Sequence, residues 1–113
     1  MGRKQERAVR EASLLLGLPP TAQLLLMVLV REGRELPLHH LRKKVGRSER
    51  ALRQHLGSLS RMGLLRRRVG RTERRRKACF YSFDRGEFAR GARRVLEERR
   101  KKLERLLREH LAS

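Results

Sequence analysis

The stretch LHHLRKKVGRSERALRQHLGSLSRMGLL, residues 38–65, decides how this chain folds. Leu38, Leu41 and Val45 fall on one side of a short helix, with His40, Arg42 and Lys43 or Lys44 on the other. Gly46 interrupts it. Ser48 then stands where an N-cap belongs, because its hydroxyl is able to accept from an unpaired N–H of the first turn. Leu52, Leu56, Leu59 and Met62 follow at spacings of four, three and three, which predicts a helix from Ser48 to Met62 with a buried stripe. Arg50, Arg53, Gln54 and Arg61 lie off that stripe and face elsewhere, and Gly63 ends the helix.

Downstream, residues 64–69 and 78–83 are short strand candidates on either side of a basic loop, residues 70–77. The loop is long for a tight hairpin turn, so a mobile tip is expected. Upstream, Thr21 is a candidate cap for a helix carrying Ala22, Leu25, Leu26, Leu29 and Val30 on one side and Leu24 and Met27 on another, a pattern suited to a central position. Glu35-Leu36-Pro37 is expected to be extended, as residues before proline are.

At the start, Val9, Ala12, Ser13 and Leu16 mark a short amphipathic helix ended by Gly17 and Pro19-Pro20. At the end, one long helix is expected from about Asp84 to Leu111, interrupted at most near Gly91. Ala92, Leu96, Leu103 and Leu106 form a seam that Val95, Leu107 and Leu111 widen, with Arg99 breaking it. A solitary helix with this seam leaves too much leucine exposed, so a second copy is expected to cover it; folding back on its own domain is the alternative. The expected fold class is mainly α with a small β-hairpin (α+β). It comprises an N-terminal helical extension (1–19), a central domain (20–83) and a C-terminal helix for dimerisation (84–113).

A short helix, a turn through Val45-Gly46-Arg47, a capped helix and a basic hairpin, in that order, make a helix-turn-helix with a wing. In residues 38–56, continued by Leu59-Ser60-Arg61-Met62-Gly63-Leu64-Leu65, the chain resembles the winged helix-turn-helix transcription regulators of the broad MarR, ArsR and TrmB group. The likeness spans about residues 20–83, and the terminal helix looks like the dimerisation helices of small members. The resemblance implies double-stranded DNA as partner and puts Arg47, Ser48, Glu49, Arg50, Arg53 and Gln54 at or near the major groove.

The chemistry of those residues agrees. Arg50 or Arg53 is able to donate two hydrogen bonds to guanine O6 and N7, and Gln54 to pair with adenine. The first turn behind Ser48 suits a phosphate. Glu49 is discordant: it favours the helix start but repels phosphate, leaving helix capping, acceptance from cytosine N4 or orientation of a neighbouring Arg as its roles. Gly57 lowers helix propensity by about 1 kcal/mol relative to Ala, as close approach of a partner would require and as simple tolerance would allow. In the hairpin, Arg66, Arg67, Arg68, Arg71, Arg74, Arg75, Arg76 and Lys77 surround only Glu73, which suits a minor groove or flanking phosphates. Alternation along a strand forbids Arg66 and Arg68 from sharing the face of Arg67.

Composition points the same way. The 113 residues hold 31 Lys and Arg against 12 Asp and Glu, a net charge of +19, which repels itself unless an anionic partner neutralises it. With 38% hydrophobic residues and no Trp, the core must be mostly leucine, with no obvious room for a large internal ligand pocket. A single cysteine excludes an internal disulfide and a multi-cysteine zinc site. His39, His40, His55 and His110 make no metal spacing with Cys79, which is expected to pack as a small hydrophobe, a redox sensor beside basic residues being the alternative, and His39 or His55 is expected to be a partly buried packing residue. No cofactor, enzyme activity or membrane span is expected, and the expected location is the cytoplasm or nucleoid. Rival readings are an architectural DNA-binding protein with little sequence preference, a double-stranded RNA-binding protein and a protein-interaction module.

Overall fold

The computed structural model describes residues 3–111. Helix α1 (Arg3–Leu15) packs on α2 (Pro20–Glu32), which is central: Leu25, Leu26 and Leu29 have no exposed surface. Thr21 does not cap α2. Pro19 takes the extended cap position and Pro20 the first helical one, where a missing N–H costs nothing and the fixed φ suits the helix. Leu24, on the second side, is 44% exposed, whereas Met27 is buried.

Strand β1 (Leu36–Pro37) leads directly into α3 (Leu38–Val45), and Gly46, at φ +69°, turns the chain towards α4 (Glu49–Arg61). Leu52, Leu56 and Leu59 of α4 are fully buried against α2 and α3, each contributing roughly 2 kcal/mol of burial. Ser48 is the N-cap, its Oγ accepting from Ala51 N at 3.2 Å.

Strands β2 (Arg66–Arg71) and β3 (Lys77–Ser82) pair antiparallel from Arg66↔Ser82 to Arg71↔Lys77. The extended segment before Pro37 proves to be a third strand: β1 pairs with β3 through Leu36↔Tyr81, giving the order β1-β3-β2. The hairpin strands keep the expected length but lie nearer the tip, with Leu64, Leu65 and Phe83 outside them, and the loop shrinks to Thr72–Arg76. It is a closed turn, with Thr72 N donating to Arg76 O at 2.9 Å and Arg75 N to Thr72 O at 2.8 Å. Arg75 takes φ +58°, a left-handed conformation that costs a non-glycine residue about 1 kcal/mol.

Helix α5 (Arg85–Leu106) starts at Asp84, whose Oδ2 accepts from Glu87 N at 2.9 Å, and runs without interruption into a π-helical turn, Leu107–Leu111. Gly91 does not break it. A Cβ there would lie 2.7 Å from the carbonyl carbon of Gly63 and 2.7 Å from Met62 O, so glycine lets α5 cross the end of α4.

The seam expected for a second copy divides in two. Val95 is buried in the chain's own core together with Phe88, and Ala92 packs against that core. Leu96, Leu103, Leu106, Leu107 and Leu111 stay exposed, on a projection that helps stretch the molecule to 62 Å. The first half of α5 therefore folds back, and the second half does not. Arg99, between them, donates to Leu16 O beyond the end of α1. No described helix is long and apolar enough to cross a membrane.

Candidate nucleic-acid interface

With Leu52, Leu56 and Leu59 turned inward, the 3.6-residue period of α4 brings Arg50, Gln54, Gly57 and Arg61 to the outward face and sets Glu49 and Arg53 on its flank. Arg47, Ser48, Glu49, Arg50, Arg53 and Gln54 are all exposed. Arg50 and Arg47 have no carboxylate partner among the described residues, but Arg53 does. Its Nη2 and Nε donate to Glu49 Oε1 at 2.7 and 3.1 Å, one turn back on the helix. The Arg53 guanidinium holds the Glu49 carboxyl below the usual carboxylate range.

The hairpin separates its cations by strand face. Arg66 and Arg68 share one face and meet acids: Arg66 Nε lies 2.8 Å from Glu87 Oε1, at the start of α5. Arg68 grips Glu35 with Nε at 2.9 Å and Nη2 at 2.6 Å, and its guanidinium carbon sits 4.7 Å from the centre of the Phe80 ring, its cross-strand neighbour. Hydrogen bonding from that fork holds the Glu35 pKa below the ordinary carboxylate value. These two arginines brace the root of the hairpin.

Arg67 takes the other face, where its Nη2 lies 3.1 Å from Cys79 Sγ. Beside it Tyr81 is buried, and burial pushes its phenol above the usual range. Arg71, Arg74, Arg75, Arg76 and Lys77 crowd the tip, exposed and without a carboxylate in ion-pair reach among the described residues. Arg71 Nη1 donates to Arg75 O at 3.1 Å, which stiffens the turn.

Between the α3–α4 pair and this face of the hairpin lies an open cleft of about 1180 Å³, bordered by His39, Glu49, Arg53, Arg67, Arg74 and Tyr81. A helix flank and the hairpin thus face each other across a basic concavity. The sequence shows these residues as a basic cluster but not the division of the hairpin cations into paired and unpaired sets. Glu35 lies 33 positions from Arg68, and no local signal links them. His39 is exposed rather than part of the packing, and His55 is half-buried. Cys79 is half-buried against the core. Among the described residues, no group of three or more His, Cys, Asp or Glu is placed to hold a metal ion.

No family model matches the chain, and no curated protein matches it in sequence. Solved structures do. A possible transcriptional regulator from Methanosarcina mazei Go1 superposes with a TM-score of 0.65 at 13% identity, over 88% of this chain and 84% of that one. A MarR-family transcriptional regulator from Silicibacter pomeroyi gives 0.56 at 19% identity, over 96% and 70%. NadR, in complex with 4-hydroxyphenylacetate, gives 0.56 at 16% identity, over 93% and 74%. With the element order above, these likenesses define the fold as a winged helix-turn-helix carrying a long C-terminal helix.

Proposed function

We propose that the chain is a sequence-preferring double-stranded DNA-binding transcriptional regulator acting as a homodimer. Helix α4 enters the major groove, and the wing lies on the minor groove or flanking phosphates. One observation carries this reading: cations at the wing root are matched to acids, while those of the wing tip and the outward face of α4 are left without them. Unmatched guanidinium groups on an exposed tip and an exposed helix face suit the phosphates and base edges of a duplex. The similar folds named as transcriptional regulators support the same class.

Arg50 or Arg53 acts on guanine and Gln54 on adenine, while Arg47 and the capped turn at Ser48 take phosphate. Arg67, Arg71, Arg74, Arg75, Arg76 and Lys77 supply sequence-independent affinity, and Arg66 and Arg68 hold the wing's shape. A second copy covers Leu96, Leu103, Leu106, Leu107 and Leu111, setting the two α4 helices about one DNA turn, roughly 34 Å, apart.

Selection of bound duplexes from a random pool at two salt concentrations tests this. A regulator is expected to enrich a two-fold motif by about a thousandfold over unrelated duplex, with a log–log salt slope near −5 for about six phosphates. Flat affinity across sequences would replace the regulator with an architectural DNA-binding protein. A near-zero slope would remove the backbone contacts.

A further inference from the structure

We infer that Glu49 is a positioning residue for Arg53, presenting its guanidinium as a fixed fork to one G·C pair of the target. The inference rests on the DNA-binding reading above and adds a division of labour within α4.

The two hydrogen bonds to Glu49 Oε1 come from Nε and Nη2, the side edge of the guanidinium. Of its five N–H groups, those on the end edge, Nη1 and the second of Nη2, remain free. That end edge is the fork which matches guanine O6 and N7. A side chain already held in place loses less rotamer freedom when it binds.

Charge points the same way. The Glu49–Arg53 pair is neutral as a unit, so it adds nothing to attraction for phosphate, and its carboxylate opposes phosphate at the cleft edge. In a chain with 31 cations and 12 acids, an acid in the first turn of the reading helix favours the helix start and, beyond that, directs hydrogen bonding to Arg53. Favouring the helix start would require Glu49 alone and would leave Arg53 unconstrained. Arg50, one residue from Glu49, lacks such a brace and remains a mobile cation for phosphate or a second base.

The test is duplex selection with wild type, Arg53→Lys, Glu49→Gln and the double variant, each checked by circular dichroism melting. Wild type is expected to prefer guanine at one position of each half-site by about fivefold or more. Arg53→Lys, which keeps the charge and loses the fork, is expected to abolish that preference. Glu49→Gln is expected to abolish it at the same position, with no further loss in the double variant, while binding unrelated duplex at low salt several-fold more tightly.

Preference retained in Glu49→Gln would overturn the inference. So would loss at a different position, which would make Glu49 a reader of its own base, or a motif unchanged by Arg53→Lys; in all three cases the regulator reading stands. A wild type without any preferred duplex would remove both.

Discussion

Gly91 of α5 lies against Gly63 at the exit of α4, close enough that a Cβ on Gly91 would come within 2.7 Å of the Gly63 carbonyl carbon. Gly63 itself needs glycine, at φ +74° and with Arg94 Nη2 2.6 Å from where its Cβ would lie. Arg94 reinforces the crossing by donating to Met62 O at 3.1 Å. Gly91→Ala forces backbone against backbone, and overpacking of this kind costs about 1–3 kcal/mol. The expected outcome is a lower urea midpoint at unchanged slope.

Gly57 is the opposite case. A Cβ there meets only Arg61 Nη1, at 3.3 Å, the end of a flexible side chain. Gly57→Ala is therefore expected to raise stability by up to about 1 kcal/mol. Because the position faces outward between Gln54 and Arg61, the same change is expected to weaken duplex binding. A higher melting temperature with undiminished affinity would show that the bare backbone serves no partner.

The two sets of wing cations are expected to fail differently. Arg74→Ala with Arg76→Ala should make the salt slope shallower by about 1.8, or about 0.9 for each phosphate no longer neutralised, at unchanged stability. Arg68→Ala removes the fork on Glu35 and the stacking on Phe80, so it should destabilise the fold and leave the slope alone. Melting curves and binding isotherms on the same samples separate the two effects.

Much of the fold is written in local pattern. Leu52, Leu56 and Leu59 repeat at the helical period and are buried, and Ser48 caps the helix they begin. What stayed illegible depends on packing between distant residues. Leu36 is a strand residue only because Tyr81 lies opposite, and Val95 leaves the leucine seam only because α5 crosses α4 at Gly91. The site shows the same division. The basic residues were visible as composition, but their sorting into braced and unbraced sets is tertiary, apart from Glu49 and Arg53, whose spacing of four already allows a pair.

Acid should loosen the molecule before it unfolds for other reasons. Glu35, Glu49 and Glu97 have folded-state values below the ordinary one through hydrogen bonds from Arg68, Arg53 and Arg100, and Asp84 through the backbone N–H of Glu87. Depressed carboxylates stabilise the fold at neutral pH and lose that contribution as pH falls from about 4.3 through the folded values. The groups are exposed, so the effect is small and screened by salt. Melting temperature should fall below that pH less steeply for Glu35→Gln than for wild type at low ionic strength.

Leu103→Glu with Leu107→Glu places two carboxylates in the exposed seam. Sedimentation should report a dimer for the wild type and a monomer for the variant at micromolar concentration. Since both residues lie outside the core, the melting of an isolated protomer should be preserved. A monomeric wild type would sink the assembly.

Because α5 runs unbroken from the root of the wing towards the exposed leucines, in the proposed dimer it would act as a ruler with a phase as well as a length. Each residue inserted between Leu96 and Leu103 would advance a partner by about 1.5 Å and rotate it by about 100°. Single insertions would swing the two reading heads out of step with the duplex, and only insertions close to whole turns would bring them back. Half-site spacing selected by such insertion variants should accordingly change in discrete steps.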